Sequence, residues 1–177
     1  DLQEVGRYNY GYALVIKKLW HLFDMASCMR KVSNKRRIRF DWLSALELMI
    51  AERLNEPCSK LSNYNHQEEY IGFNDQKVEL QHFYRCLDLL SEEQDSLKKH
   101  LFNKQQSLFS QTLDVVFYDV TTLYFESQKE EQGNLRQKGY CKDGKAHKTQ
   151  VVLGLLVDKL RNPITYQIYR GNTYEGK

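Results

Sequence analysis

The stretch Leu113-Asp114-Val115-Val116-Phe117-Tyr118-Asp119-Val120-Thr121-Thr122-Leu123-Tyr124-Phe125 decides the fold class of this chain. β-Branched and aromatic residues dominate it, and they suit a pleated, largely buried strand. One residue breaks the pattern. Asp119 lies mid-strand in an otherwise dry segment, and an unpaired buried carboxylate costs several kcal/mol, so it is expected to be hydrogen-bonded, ion-paired or bound to a cation. Strand parity puts residues 117, 119, 121, 123 and 125 on one face and Glu126 on the other, which makes Asp119 and Glu126 poor partners for a single ion. The residues alone leave two readings open for Asp119: a structural buried carboxylate or a metal ligand.

Downstream, Gln150-Val151-Val152-Leu153-Gly154-Leu155-Leu156-Val157-Asp158 predicts a second buried strand, after a polar connection holding Gly133, Gly139 and Gly144. Arg161-Asn162-Pro163 predicts a turn, and Ile164-Thr165-Tyr166-Gln167-Ile168-Tyr169 a third strand closed by Gly171-Asn172. Residues 113–125, 150–158 and 164–170 are expected to be adjacent antiparallel strands of one sheet.

Upstream the pattern is helical. Tyr12, Ile16, Leu19, Trp20 and Phe23 form one stripe. A basic stretch from Arg30 to Arg39 carries six Lys/Arg in ten positions and reads either as a solvated linker or as a phosphate-contacting surface. Asp41 caps a second helix with Trp42, Ala45, Leu46, Met49, Ile50 and Leu54, broken at Asn55-Glu56-Pro57. A polar segment runs to about Asn74, and Leu80, Phe83, Tyr84, Leu87 and Leu90 mark a third helix. Ser91-Glu92-Glu93-Gln94 has the form of a capping box and predicts the start of a fourth helix with Leu97, Leu101 and Phe102. The fold class is therefore α+β: a helical N-terminal region over 1–111, then a strand-rich region over 112–177.

Composition narrows the function. The 177 residues are 41% hydrophobic and 28% charged, with a mean hydropathy of -0.66, as in an ordinary globular chain. No apolar run approaches the roughly 20 residues of a membrane helix, and the Asp1-Leu2-Gln3-Glu4-Val5 start has neither the basic n-region nor the apolar core of a signal peptide. The chain starts without an initiator Met and is read as a fragment. Cys28, Cys58, Cys86 and Cys141 have no paired spacing, and reduced thiols in a cytoplasmic protein are expected. His82 with Cys86 and Cys141 with His147 are at most half-sites for a metal.

Net charge is +3 overall, but residues 127–177 hold ten Lys/Arg against five Asp/Glu, a balance of +5 that leaves -2 for residues 1–126. The electropositive C-terminal third suits a surface that tracks phosphates, or a basic solvated loop.

The block Phe117-Tyr118-Asp119-Val120-Thr121-Thr122-Leu123-Tyr124-Phe125-Glu126 resembles the first catalytic strand of bacterial insertion-sequence DDE transposases, whose catalytic domain is ribonuclease H-like. Gly139-Tyr140-Cys141-Lys142-Asp143-Gly144-Lys145, the Gln150–Asp158 run, and the block from Pro163-Ile164 to Gly171-Asn172-Thr173-Tyr174-Glu175-Gly176-Lys177 continue the likeness in order. Arg53-Leu54 with Pro57-Cys58-Ser59-Lys60 resembles the helical region that precedes that domain. Cys141 stands where the pattern has Ser.

The resemblance implies an N-terminal fragment of a DNA transposase that cuts and joins transposon-end double-stranded DNA by phosphoryl transfer with two divalent ions, Mg²⁺ or Mn²⁺. Asp119 matches the first carboxylate of the catalytic, metal-binding triad. The second and third are expected beyond Lys177, so ion binding by the fragment is expected to be weak or absent and the fragment inactive alone. Asp143, Asp158 and Glu175 read better as loop or strand-end residues. Lys138, Lys142, Lys145, His147 and Lys148 become candidate contacts to DNA phosphates. A homodimer on DNA and a nucleoid-associated, cytoplasmic bacterial location are further implications. The alternatives are a non-catalytic DNA-binding or interaction module derived from such an element, and an unrelated α+β domain whose Asp119 is structural.

Overall fold

The computed structural model describes residues 3–73, 77–109, 116–126, 134–139 and 148–173. The chain is α+β: among the described residues, six α-helices are followed by a three-stranded antiparallel sheet. It divides into two compact units, Asp1–Leu108 and Phe109–Lys177.

In the helical unit, α1 (Gly11–Leu22) buries Ala13 and Ile16. Asp24, in the left-handed region at φ 49°, turns the chain into α2 (Met25–Arg36), which buries Met25, Cys28, Met29 and Val32. Of the two readings of the basic stretch, the linker does not hold for its first seven residues, which are helical, and Arg37, at φ 50°, ends them. α3 (Trp42–Asn55) is the central element. Asp41 caps it, accepting from the Ser44 backbone N–H at 3.1 Å and from the Ser44 hydroxyl at 2.7 Å. Trp42, Ala45, Leu46, Leu48, Met49 and Ala51 are buried around it, and it packs against both α1 and α5.

The polar segment expected after Pro57 contains a short helix, α4 (Lys60–His66), capped by the Ser59 hydroxyl, and a 3₁₀ turn at Gln67–Glu69. Gln67 closes the loop that follows. Its Nε2 donates to the carbonyls of Tyr64 (2.8 Å) and Val78 (3.0 Å), and its Oε1 accepts from Val78 N–H (2.7 Å). α5 (Leu80–Glu92) contributes Phe83 and Cys86, both fully buried. The expected capping box is not used. Ser91 lies inside α5, the break falls at Glu93, and α6 (Gln94–Phe109) starts after it. Glu93, at the break, accepts with its side chain from Lys35 Nζ at 3.0 Å and from Arg36 Nε and Nη2 at 2.9 and 2.8 Å. No helix among the described residues is long and apolar enough to cross a membrane.

In the second unit, β1 (Val116–Phe125), β2 (Thr149–Asp158) and β3 (Pro163–Arg170) pair in the order β1-β2-β3. Both pairings are antiparallel, as the sequence predicts, with an irregularity between Leu156 and Val157. The β2–β3 turn is built on Asp158. Its carboxylate accepts from the backbone N–H of Leu160 (2.9 Å) and Asn162 (2.8 Å) and from Asn162 Nδ2 (3.0 Å), while Arg161 takes φ 66°.

Candidate functional site

Asp119 stands opposite Leu155, which in turn stands opposite Tyr166, so the three share one face of the sheet. Thr121, Leu153 and Ile168 form the next row on that face. The expectation of a buried Asp119 is corrected: its side chain is exposed. Among the described residues β1 pairs with one strand, β2, and its apolar composition does not translate into burial, since Tyr118, Leu123 and Phe125 are exposed as well. The carboxylate thus needs no partner to survive there and is open to solvent ions.

Glu126 is exposed and on the other parity. It ion-pairs with Lys148 at 2.6 Å, across the Phe125–Thr149 end of the β1–β2 ladder. Lys148, a candidate phosphate contact, is therefore engaged within the sheet. Lys138 is exposed next to the Gln137–Gln150 bridge. Lys142, Lys145 and His147, with Asp143 and Glu175, lie outside the described residues. Asp158 is only 3% exposed and serves the turn. Burial works to raise its pKa, but the hydrogen bonds from Asn162 and Leu160 outweigh it and hold the carboxyl below the ordinary range.

The structure brings two of the sequence blocks together at one corner. The Gln137 N–H donates to the Gln150 carbonyl at 3.1 Å, and the Gln150 N–H returns a bond to Gln137 at 2.8 Å. The Gln150 side chain donates to the Gly171 carbonyl at 2.7 Å, and the Gly171 N–H donates to Leu135 at 2.9 Å. There is no room for side chains at this crossing. A Cβ on Gly139 would lie 2.0 Å from the Gly171 carbonyl oxygen, and one on Gly171 would lie 2.0 Å from the Gln150 carbonyl oxygen. Arg136 extends the corner to β1, stacking 5.2 Å from the centre of the Phe125 ring. Sequence reasoning passed over Gln150; the available signal was a carboxamide heading an otherwise apolar run. On the opposite face from Asp119, Gly154 leaves space for the Tyr118 ring, whose hydroxyl is bonded to that of Tyr169. That bond first, then burial, raises the Tyr118 pKa.

A second polar cluster lies in the helical unit. The Cys58 thiol donates to Glu52 Oε1 at 3.1 Å, and His66 Nδ1 lies 4.0 Å from the same oxygen. Asn55 donates to the Tyr70 hydroxyl at 2.8 Å and accepts from Tyr12 at 2.9 Å. Burial, then the contact with Glu52, pushes the Cys58 thiol up, the wrong direction for a nucleophile. Burial likewise takes Tyr70 to about 12. Cys86, donating to the Trp42 carbonyl at 3.6 Å, is pushed to about 12 by burial, and His82 stacks on Phe40 with ring centres 4.6 Å apart. Each member of that pair is thus committed to packing.

Among the described residues no group of three or more His, Cys, Asp or Glu side chains could hold a metal ion. Asp119 is one reachable ligand, and the described residues do not complete a divalent-ion centre around it. Comparisons with family models, with curated proteins and with solved structures return no match to this chain.

Proposed function

We propose that the chain is the helical region and first catalytic strands of a DDE-type transposase, acting on transposon-end DNA by phosphoryl transfer, with Asp119 as one carboxylate of its ion-binding triad. The observation that carries this reading is the exposed carboxylate in the middle of β1, on a sheet whose other two strands carry the Gln150–Asp158 run and the block that starts at Pro163, in order. The ladder to Leu155 fixes the carboxylate on a rigid strand, as a positioned ligand requires. The other carboxylates of the triad are not among the described residues, so this chain is expected to bind DNA without cleaving it.

The test is the product of the whole reading frame, assayed with Mg²⁺ or Mn²⁺ on DNA carrying the element's own ends. Strand cleavage is expected from the wild type and none from Asp119→Asn, with DNA affinity retained. Undiminished cleavage by Asp119→Asn overturns the assignment. The same assay on the 177-residue chain is expected to show no cleavage.

A further inference from the structure

The basic stretch that begins at Arg30 becomes informative once it is folded. Lys35 and Arg36 turn toward the α5–α6 junction, where Glu93 takes both and Arg36 also reaches Glu92. Lys31, one turn before Lys35, borders a groove between α2 and α6 of about 360 Å³. Cys28 and Val32, both buried, belong to its lining on α2. Ser96, Lys99, His100 and Asn103 line it from α6, at the spacing of one helix face.

The groove is rich in donors and poor in acids. Three ammonium groups (Lys31, Lys35, Lys99) face one carboxylate, Glu93, a net of +2 with His100 neutral. That carboxylate's side chain is 6% exposed and already takes Lys35 and Arg36, so it has little left for Lys31 or Lys99. Neither of those two lysines makes an ion pair among the described residues, and both are exposed. The Nε2–H of His100 donates to the Phe23 carbonyl at 2.8 Å, which fixes the ring and leaves Nδ1 as its other polar atom. Ser96 and Asn103 add a hydroxyl and a carboxamide. No Phe, Tyr or Trp lines the groove; its one ring is the His100 imidazole, held by its bond to the Phe23 carbonyl.

We infer that this α2–α6 groove is a phosphate site that takes the backbone of a DNA strand. It uses none of the basic residues of the sheet unit and, resting on the proposed function, deepens it by giving the helical unit its own contact with DNA. Two ammonium groups on the two helices that wall one groove, Lys31 on α2 and Lys99 on α6, neither ion-paired among the described residues, suit a polyanion with closely spaced charges. Ammonium contacts to phosphate oxygens carry no base information, so the contact is independent of base sequence.

The experiment is fluorescence anisotropy of the 177-residue chain with a labelled duplex of arbitrary sequence, titrated over a range of salt. Lys31→Gln/Lys99→Gln is expected to weaken binding tenfold or more at low salt. It should also flatten the slope of log affinity against log salt by about 1.8, since each lost phosphate contact contributes roughly 0.9. Lys31→Arg/Lys99→Arg is expected to keep both affinity and slope. Unchanged emission from Trp20 and Trp42, both in the helical unit, verifies that the variants are folded. Binding by the wild type with the same slope in the glutamine variant overturns the groove while leaving the transposase reading standing. Inorganic tripolyphosphate serves as the small-anion probe: stabilisation by it with no duplex binding at low salt also overturns the inference. The cleavage test with Asp119→Asn reads the catalytic assignment separately.

Discussion

Replacing Gly171 by Ala tests whether the corner where Gly139, Gln150 and Gly171 meet holds the sheet unit together. The added Cβ would lie 2.0 Å from the Gln150 carbonyl oxygen and 2.4 Å from that of Gln137. Real Cβ atoms essentially never approach within 3.0 Å, so the chains must part by about 1 Å. Both obstacles are backbone carbonyls, so no rotamer change relieves the clash. Parting the chains puts at risk the Gln137–Gln150 bridge, at 3.1 and 2.8 Å, and the 2.7 Å bond from Gln150 Nε2 to Gly171. Three lost hydrogen bonds at about 1 kcal/mol each, with about 1–3 kcal/mol of overpacking, give a destabilisation of about 4–6 kcal/mol. Native-state hydrogen exchange reads this directly: the Gln150 and Gly171 amides should lose roughly a hundredfold or more of their protection. Trp20 and Trp42 emission supplies a separate report on the helical unit during urea unfolding. Protection at Gln150 and Gly171 within a factor of three of wild type would falsify the claim that this corner is closed by backbone crossing.

Two further outcomes follow from the helical unit. Cys86 and Tyr70 are both held neutral by burial, with ordinary values of 9.0 and 10.0 raised to about 12. Both are acids with raised folded values, so the stability they favour is complete below pH 9 and drains away as the pH climbs toward 12; alkaline unfolding followed by tryptophan emission checks this, and Cys86→Ser should change the onset. Arg37 holds a left-handed backbone at φ 50° without being glycine, and Arg37→Gly should raise the unfolding free energy by about 1 kcal/mol, measured by urea titration; a loss of that size would mean the Arg37 side chain outweighs its backbone strain.

The strands were legible because each is a continuous run of β-branched and aromatic residues ended by turn chemistry, Asp158 to Pro163 above all. α3 was legible from Asp41 and the apolar run behind it. α2 was not, because Met25, Cys28, Met29 and Val32 make a narrow apolar stripe in a segment whose charges dominate the eye. α4 is seven residues long and its buried residue is Asn63, so periodicity had nothing to detect. The capping box expected at Ser91 failed because α5 runs on through Ser91 and the break falls two residues later, at Glu93, whose side chain takes long-range ion pairs from α2 that no local pattern contains. Asp119 was found by its oddity, but its exposure depends on which strands flank β1 and cover its faces. A run apolar on both parities does not record that.

Gly154 has a consequence for how the sheet finds its alignment. β1 and β3 are not neighbours, yet the hydroxyls of Tyr118 and Tyr169 meet because the residue of β2 beneath the Tyr118 ring has no side chain. If β1 slid by two residues along β2, parity would be preserved and the apolar faces would still match, so burial alone would tolerate the error. The ring would then ride over Leu156 or Val152 instead of the gap, and the hydroxyls could not meet in the same way. The tyrosine pair therefore works as a gauge, telling the correct alignment from the two-residue slips that hydrophobic patterning cannot reject.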